Sequence, residues 1–248
     1  MVLTDNLVHY YSLEGNSNDA VGSANGSDTV IVYNALYGKI SQGALFVRLS
    51  SSIITTSSAD NVGTAASIQC WFKSTATGAL QALMSMKNAN ISFRIELTTD
   101  GTIRGYSEDS NHDSTTTVSS SSGYNDGNWH HVVFVRVSIN SYILYVDGSQ
   151  VDTGGGAQSG NHNGSNVQIG GAQSDYYDGS LDECGYWSRA LSATEVGQLY
   201  NGGAGLAYPL TVVSGPANLK SLDTNVKANI KSYNTNLIAN VKSINTNV

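Results

Sequence analysis

Alternation of apolar and polar side chains dominates the first two hundred residues. In Ile91-Ser-Phe-Arg-Ile-Glu-Leu97 it is strict. Ile91, Phe93, Ile95 and Leu97 fall on one face of an extended chain, and Ser92, Arg94 and Glu96 fall on the other. Further short apolar runs occur at Ser67-Ile-Gln-Cys-Trp-Phe-Lys73, His130-His-Val-Val-Phe-Val-Arg136 and Tyr142-Ile-Leu-Tyr-Val146. They are bounded by Gly, Asn, Asp and Ser clusters and read as strands. Asp100-Gly101 and Asp147-Gly148 are hairpin signals, because Gly adopts positive φ without steric cost. One short helix is predicted from Ser192 through Tyr200, with Ser192 as its cap, Glu195 completing a capping box and Gly202 just past its end. Many short strands at regular intervals predict an all-β antiparallel sandwich rather than an α/β fold.

The pattern changes at the C-terminal end. Both prolines, Pro209 and Pro216, lie together there, which sets a body over 1–208, a linker over 209–216 and a tail over 217–248. The tail repeats every 11 residues, as KSLDTNVKANI, KSYNTNLIANV and KSINTNV. Its apolar positions are Leu222, Val226, Ile230, Tyr233, Leu237, Val241, Ile244 and Val248, a period that keeps one stripe along a helix. Abundant Asn and β-branched residues make such a helix unstable alone. The tail therefore predicts self-association, as a helix in a bundle or as an extended, strand-exchanging arm; an unstructured tail is the plain alternative.

Composition sharpens this picture. The chain has 248 residues, of which 12% are charged, about half the usual share. Ser, Thr, Asn and Gly replace the charges and suit exposed sheet faces and turns. The formal net charge is −7, and the body is more acidic than that, since four of the 12 basic side chains (Lys220, Lys227, Lys231 and Lys242) belong to the tail. Phosphate binding needs clustered Lys and Arg, so nucleic acid is an unexpected partner. No apolar run is long enough for a membrane span, and no secretory signal is visible at Met1-Val2-Leu3-Thr4-Asp5. Cys70 and Cys184 stand inside apparent strands and read as small buried hydrophobes, with a disulfide possible between them.

Several motifs resemble the laminin-G-like, concanavalin A-like jelly-roll module found in bacterial and phage surface proteins. They are Tyr10-Tyr-Ser-Leu-Glu-Gly-Asn-Ser-Asn-Asp19, Gly38-Lys-Ile-Ser-Gln-Gly-Ala-Leu-Phe46, Gly127-Asn-Trp-His-His-Val132 with Leu144-Tyr-Val-Asp-Gly148, and Tyr177-Asp-Gly-Ser-Leu-Asp-Glu183 with Trp187-Ser-Arg-Ala-Leu-Ser-Ala-Thr-Glu-Val196. The resemblance covers residues 7 to 208 and implies a lectin-like jelly roll. It makes His130, His131, Trp71 and Trp129 framework residues rather than ligands or bases, and Tyr177 a framework aromatic.

The candidate chemistry is oxygen-rich. Glu14, Asn16, Asn18 and Asp19 form a loop of the kind that supplies calcium oxygens, or simply Asx turns. The resemblance implies that this loop meets the acids near the end of the body, giving Asp19, Asp182, Asn16 and Glu183 as candidate ligands of a structural calcium. Catalytic motifs are missing: neither the Glu-x-Asp-x-x-Glu of related glucanases nor Gly-x-Ser-x-Gly, His-Glu-x-x-His or a Walker loop occurs. Candidate groups for a sugar or surface polymer are Asn111, His112, Asp113, Tyr124, His162, Asp175 and Tyr176, since a Tyr ring offers an apolar face with a polar tip. The expected protein is a non-catalytic adhesion module, extracellular or on a virion surface and assembled through its tail. Its rivals are a purely structural subunit of a filament, fibre or coat and, more remotely, a glycan hydrolase.

Overall fold

The computed structural model describes residues 2–87, 92–108, 115–156 and 162–212, without the side chains of 162–164. Ile91, Asn111, His112, Asp113, the side chain of His162 and the eight apolar tail positions from Leu222 to Val248 lie outside the described residues. The first structural unit of the chain ends at Thr211.

Sixteen strands among the described residues form two eight-stranded sheets. The first runs β14 (Ser149–Gly154), β13 (Ser141–Val146), β12 (His130–Ser138), β7 (Ala66–Lys73), β16 (Gly179–Trp187), β4 (Gly43–Phe46) and β3 (Val32–Asn34), and β1 (Leu7–Tyr11) also pairs with β16. The second runs β11 (Thr115–Ser119), β10 (Ile103–Glu108), β9 (Ser92–Leu97), β8 (Gln81–Lys87), β15 (His162–Ile169), β5 (Ile53–Thr56) and β2 (Gly26–Thr29), with β6 (Asp60–Val62) on β15. Every pairing is antiparallel. This is the sandwich that the alternation predicts.

Period-two alternation decides what each face buries. Ile68, Cys70 and Phe72 of β7 and Val132 and Phe134 of β12 point between the sheets and join Met84, Met86, Phe93, Ile95 and Leu97 in one buried cluster. Phe93 and Phe134 stack across the gap with ring centroids 4.5 Å apart. Their approach requires Gly105 beneath them, where an added Cβ would lie 2.3 Å from the Phe134 ring. Cys70 and Cys184 are buried free thiols in this layer.

The outer face of the first sheet is also covered. Val133 and Val135, the odd residues of β12, join Leu7, Tyr10, Trp187, Leu191, Val196 and Leu199 in a second buried cluster. The cover is α1 (Ala193–Tyr200). Ser192 caps it by accepting the Glu195 N–H, and the Glu195 carboxylate accepts the Ser192 N–H, so the capping box is complete. The chain leaves the helix through Asn201 in the left-handed conformation, with Gly202 one residue later. Arg189 locks the helix start by donating to Glu195 Oε1 and Oε2 at 2.7 and 3.0 Å and to the carbonyls of Val2 and Asp5. Trp71 stacks on Tyr200 at 5.7 Å, so it is packed under the cover and does not serve as an open platform.

Candidate functional site

The acidic residues of the N-terminal loop face hydrogen-bond donors. Asp19 Oδ2 lies 2.6 Å from His9 Nδ1, and its two oxygens accept the N–H groups of Tyr10, Val21 and Ala24. The other ring nitrogen of His9 is 2.9 Å from Asp60 Oδ2. Burial opposes charge on the ring, but the hydrogen bonds and charges of Asp60 and Asp19 prevail and raise the His9 pKa. Asn16 is exposed and closes a local turn, accepting the Asn18 N–H and donating to the Glu14 carbonyl.

Asp182 and Glu183 sit at a bulge of β16, where Glu183 has a φ of 50°. Asp182 Oδ2 accepts the N–H groups of Lys39 and Ile40 at 2.8 Å each, and Oδ1 accepts the Glu183 N–H. Glu183 accepts the Tyr10 hydroxyl. Burial pushes Asp182 up to about 8 and Glu183 up to about 7, against the pull of those donors. A calcium ion needs free oxygen lone pairs turned toward a common point. Here Asp19 and Asp182 are surrounded by N–H groups that would repel a cation. Among the described residues no group of three or more His, Cys, Asp and Glu side chains is arranged to hold a metal. Each of the four side chains implied for calcium is thus engaged by hydrogen bonds within the protein.

The predicted ligand groups separate. Tyr124 meets the His130 ring edge-on at 4.9 Å and packs against the inter-sheet core. Asp175 lies beside the second sheet, 3.8 Å from Arg94, and its carbonyl accepts the Ala82 N–H. Tyr176, next to it, is half-buried. These residues belong to two different surroundings. Tyr177 is fully buried, and its hydroxyl donates to the Lys73 carbonyl at 2.9 Å, as a framework residue would.

A cleft of about 330 Å³ opens where β7 ends and β16 begins, lined by Leu45, Lys73, Thr75, Gly127, Asp178 and Ser180 among others. Ser180 pairs with Leu45 on one side and Lys73 on the other, so these three form a row across β4, β16 and β7. The walls are tied internally. Ser74 Oγ donates to the Asp178 carbonyl at 2.6 Å, Gly127 N–H donates to the Ser74 carbonyl at 3.0 Å, and Asn125 donates to the Ala76 carbonyl. Asp178 N–H is held by Gln81 Oε1. The loop carrying Gly127 is pinned by Asp126 and Asp147, which take the two ring nitrogens of His130 at 3.1 and 2.8 Å. Sequence reasoning missed this cleft, although Tyr177-Asp-Gly-Ser180 lies within a motif it had singled out. Its residues are distant in the chain and meet only through strand register.

The strand order defines an antiparallel jelly-roll sandwich of two sheets. A family model described as the concanavalin A-like lectin/glucanases superfamily matches residues 49–197, more than half of the chain. The protein belongs to that superfamily. Among solved structures it is similar to the binding domain of Paraclostridial Mosquitocidal Protein 1, at a TM-score of 0.66 and 19% identity, covering 80% of this chain and 52% of that one. It is similar to the botulinum neurotoxin serotype G binding domain, at 0.64 and 15% identity, covering 79% and 50%. It also resembles domain 4 of AbnA, a GH43 extracellular arabinanase from Geobacillus stearothermophilus, in complex with arabinotriose, at 0.60 and 19% identity, covering 81% and 98%. This chain thus spans about half the length of the two toxin binding domains. No curated protein sequence matches it. Among the described residues no helix is long and apolar enough to cross a membrane.

Proposed function

We propose that this protein is a non-catalytic, lectin-like binding module that recognises carbohydrate or another surface polymer outside the cell or on a virion. One observation carries the reading. In a superfamily of lectins and glucanases, the adjacent acids Asp182 and Glu183 are buried and committed to backbone N–H groups and Tyr10, not poised beside an open cleft. A hydrolase needs two carboxylates flanking an accessible bond, with water able to reach it. The similarity to toxin binding domains and to an arabinanase domain holding arabinotriose supports a binding role.

The tail completes the proposal. Its 11-residue apolar period favours association between copies, and linked weak sites gain avidity without new contacts. A binding screen with the full-length chain against purified polysaccharides tests the first half: retention on at least one supports it, and retention on none overturns it. Solution mass of the full-length chain against a 1–213 truncation tests the second. Assembly of the full-length chain alone is expected; two monomers would contradict it.

A second reading, a packing subunit of a filament, fibre or coat, is favoured by one corner of the body. Val30, Val32, Leu36 and Leu49 are 50 to 92% exposed there, beside the edge strands β2 and β3. Open edges and exposed apolar side chains are sites where neighbouring molecules pack. Assembly without retention on any polymer would select this reading.

A further inference from the structure

We propose that the cleft between Lys73 and Asp178 is a sugar subsite that takes one neutral ring with vicinal hydroxyls, a pentose or hexose residue of a polysaccharide. The inference rests on the carbohydrate-binding reading and gives it a place and a chemistry. The volume of about 330 Å³ falls at the lower end of ligand pockets. It suits a single ring better than a long stretch of chain.

The chemistry follows from which groups are already used. The backbone of the walls is hydrogen-bonded internally through Ser74, Asn125, Gly127 and Asp178. What remains are side-chain groups. Among the described residues the Lys73 ammonium and the Asp178 carboxylate form no ion pair, although both line the same cleft. Thr75 is exposed, and Ser180 adds a second hydroxyl.

Such a set discriminates. An anionic ligand would meet the Asp178 carboxylate, and a cationic one would meet Lys73. A neutral polyol satisfies both, because its hydroxyls donate to the carboxylate and accept from the ammonium. Leu45 supplies an aliphatic floor for the C–H face of the ring. Walls fixed before binding lose little freedom on ligand entry, which favours the complex. With no aromatic ring among the lining residues, the affinity of one copy is weak, with Kd on the order of 1 mM for a small polar ligand held by few contacts. Assembly through the tail would compensate for that weakness.

Amide NMR of the full-length chain, titrated with arabinotriose, cellotriose and maltotriose, tests the assignment. At least one trisaccharide is expected to shift the amides of Thr75, Ala76, Gly127 and Gly179. Asp178→Asn and Lys73→Met are each expected to weaken that binding about tenfold, the loss typical of a hydrogen bond to a charged group. Neither should change the melting temperature, because neither charge is paired in the free protein. If a trisaccharide binds but shifts amides elsewhere, and both variants bind as the parent does, the cleft is overturned while carbohydrate binding stands. If no trisaccharide shifts any amide, the subsite is overturned; carbohydrate binding then stands where the chain is retained on a polysaccharide and falls where it is retained on none.

Discussion

His130 and His131 are neighbours in the chain and opposites in environment, because they project to opposite faces of β12. His130 ends the inner face, beside Phe72, with Asp147 and Asp126 on its two ring nitrogens. His131 lies on the outer face under the helical cover, stacked beside Trp71 and Tyr200, and its Nε2 meets Gln69 Oε1 while Nδ1 has no hydrogen-bond partner among the described residues. Burial opposes charge on both rings. At His130 the hydrogen bonds and charges of Asp147 and Asp126 win and raise the pKa. At His131 only the charge of Asp147 opposes burial, and the ring is pushed down to about 3. Whether a buried histidine carries charge is thus decided by its neighbours, one residue apart. The two faces differ in the same way: the inner cluster is built from apolar side chains and needs volume, whereas the outer layer also holds Gln69, His131, Glu183 and Arg189, whose polar groups depend on specific partners.

The sharpest break of the inner layer is Phe134→Ala. It should cost about 3–5 kcal/mol, a loss typical of a large buried ring, with little dependence on pH, measured by urea unfolding. Next, Arg189→Ala strands Glu195 and should cost about 3 kcal/mol. Arg189→Met combined with Glu195→Met should recover much of that loss, since an apolar pair replaces a buried ion pair. If the double variant is no better than the single one, the cap bond of Glu195 and the Val2 and Asp5 contacts of Arg189, rather than the ion pair alone, hold the outer layer.

The histidines give smaller, opposite effects. A ring held neutral by burial contributes stability above its unfolded pKa near 6.5, and that contribution is lost as pH falls toward about 3. His131→Leu should therefore flatten the acid side of the stability profile in that window. His130 has the reverse sign: its contribution is complete below 6.5 and disappears as pH rises through its raised folded value. His130→Asn should lose more stability at about pH 6 than at about pH 9. The difference should stay below about 1 kcal/mol, because Asp126 is 42% exposed and screened by solvent. Equal losses at both pH values would remove the carboxylate clamp from the account.

Much of the fold was legible. Strict alternation in Phe93, Ile95 and Leu97 identified β9, Asp147-Gly148 identified a hairpin, and Ser192 with Glu195 marked the helix start, because each signal is local. The outer cover was not legible as a layer. Tyr10, Trp187 and Val196 meet there from distant parts of the chain, and alternation cannot say that both faces of a sheet are buried. The surroundings of the site residues were illegible for a related reason. Asp19 and Asp182 offer oxygens in sequence, but whether an oxygen is free depends on which N–H groups fold against it, as those of Tyr10, Lys39 and Ile40 do. Lys73 ends one strand run and Asp178 lies within the Tyr177–Glu183 motif, but neither signal says that the two side chains share a cleft. Their juxtaposition is a product of register between β7 and β16.

Binding without turnover is the central claim, and one NMR experiment reads both. The full-length chain is mixed with neutral oligosaccharides, saturation transfer to the sugar is recorded, and the anomeric signals are followed overnight. The account predicts saturation transfer to at least one oligosaccharide with its anomeric intensities unchanged. New reducing-end signals growing in proportion to protein, or no transfer to any sugar, would contradict it.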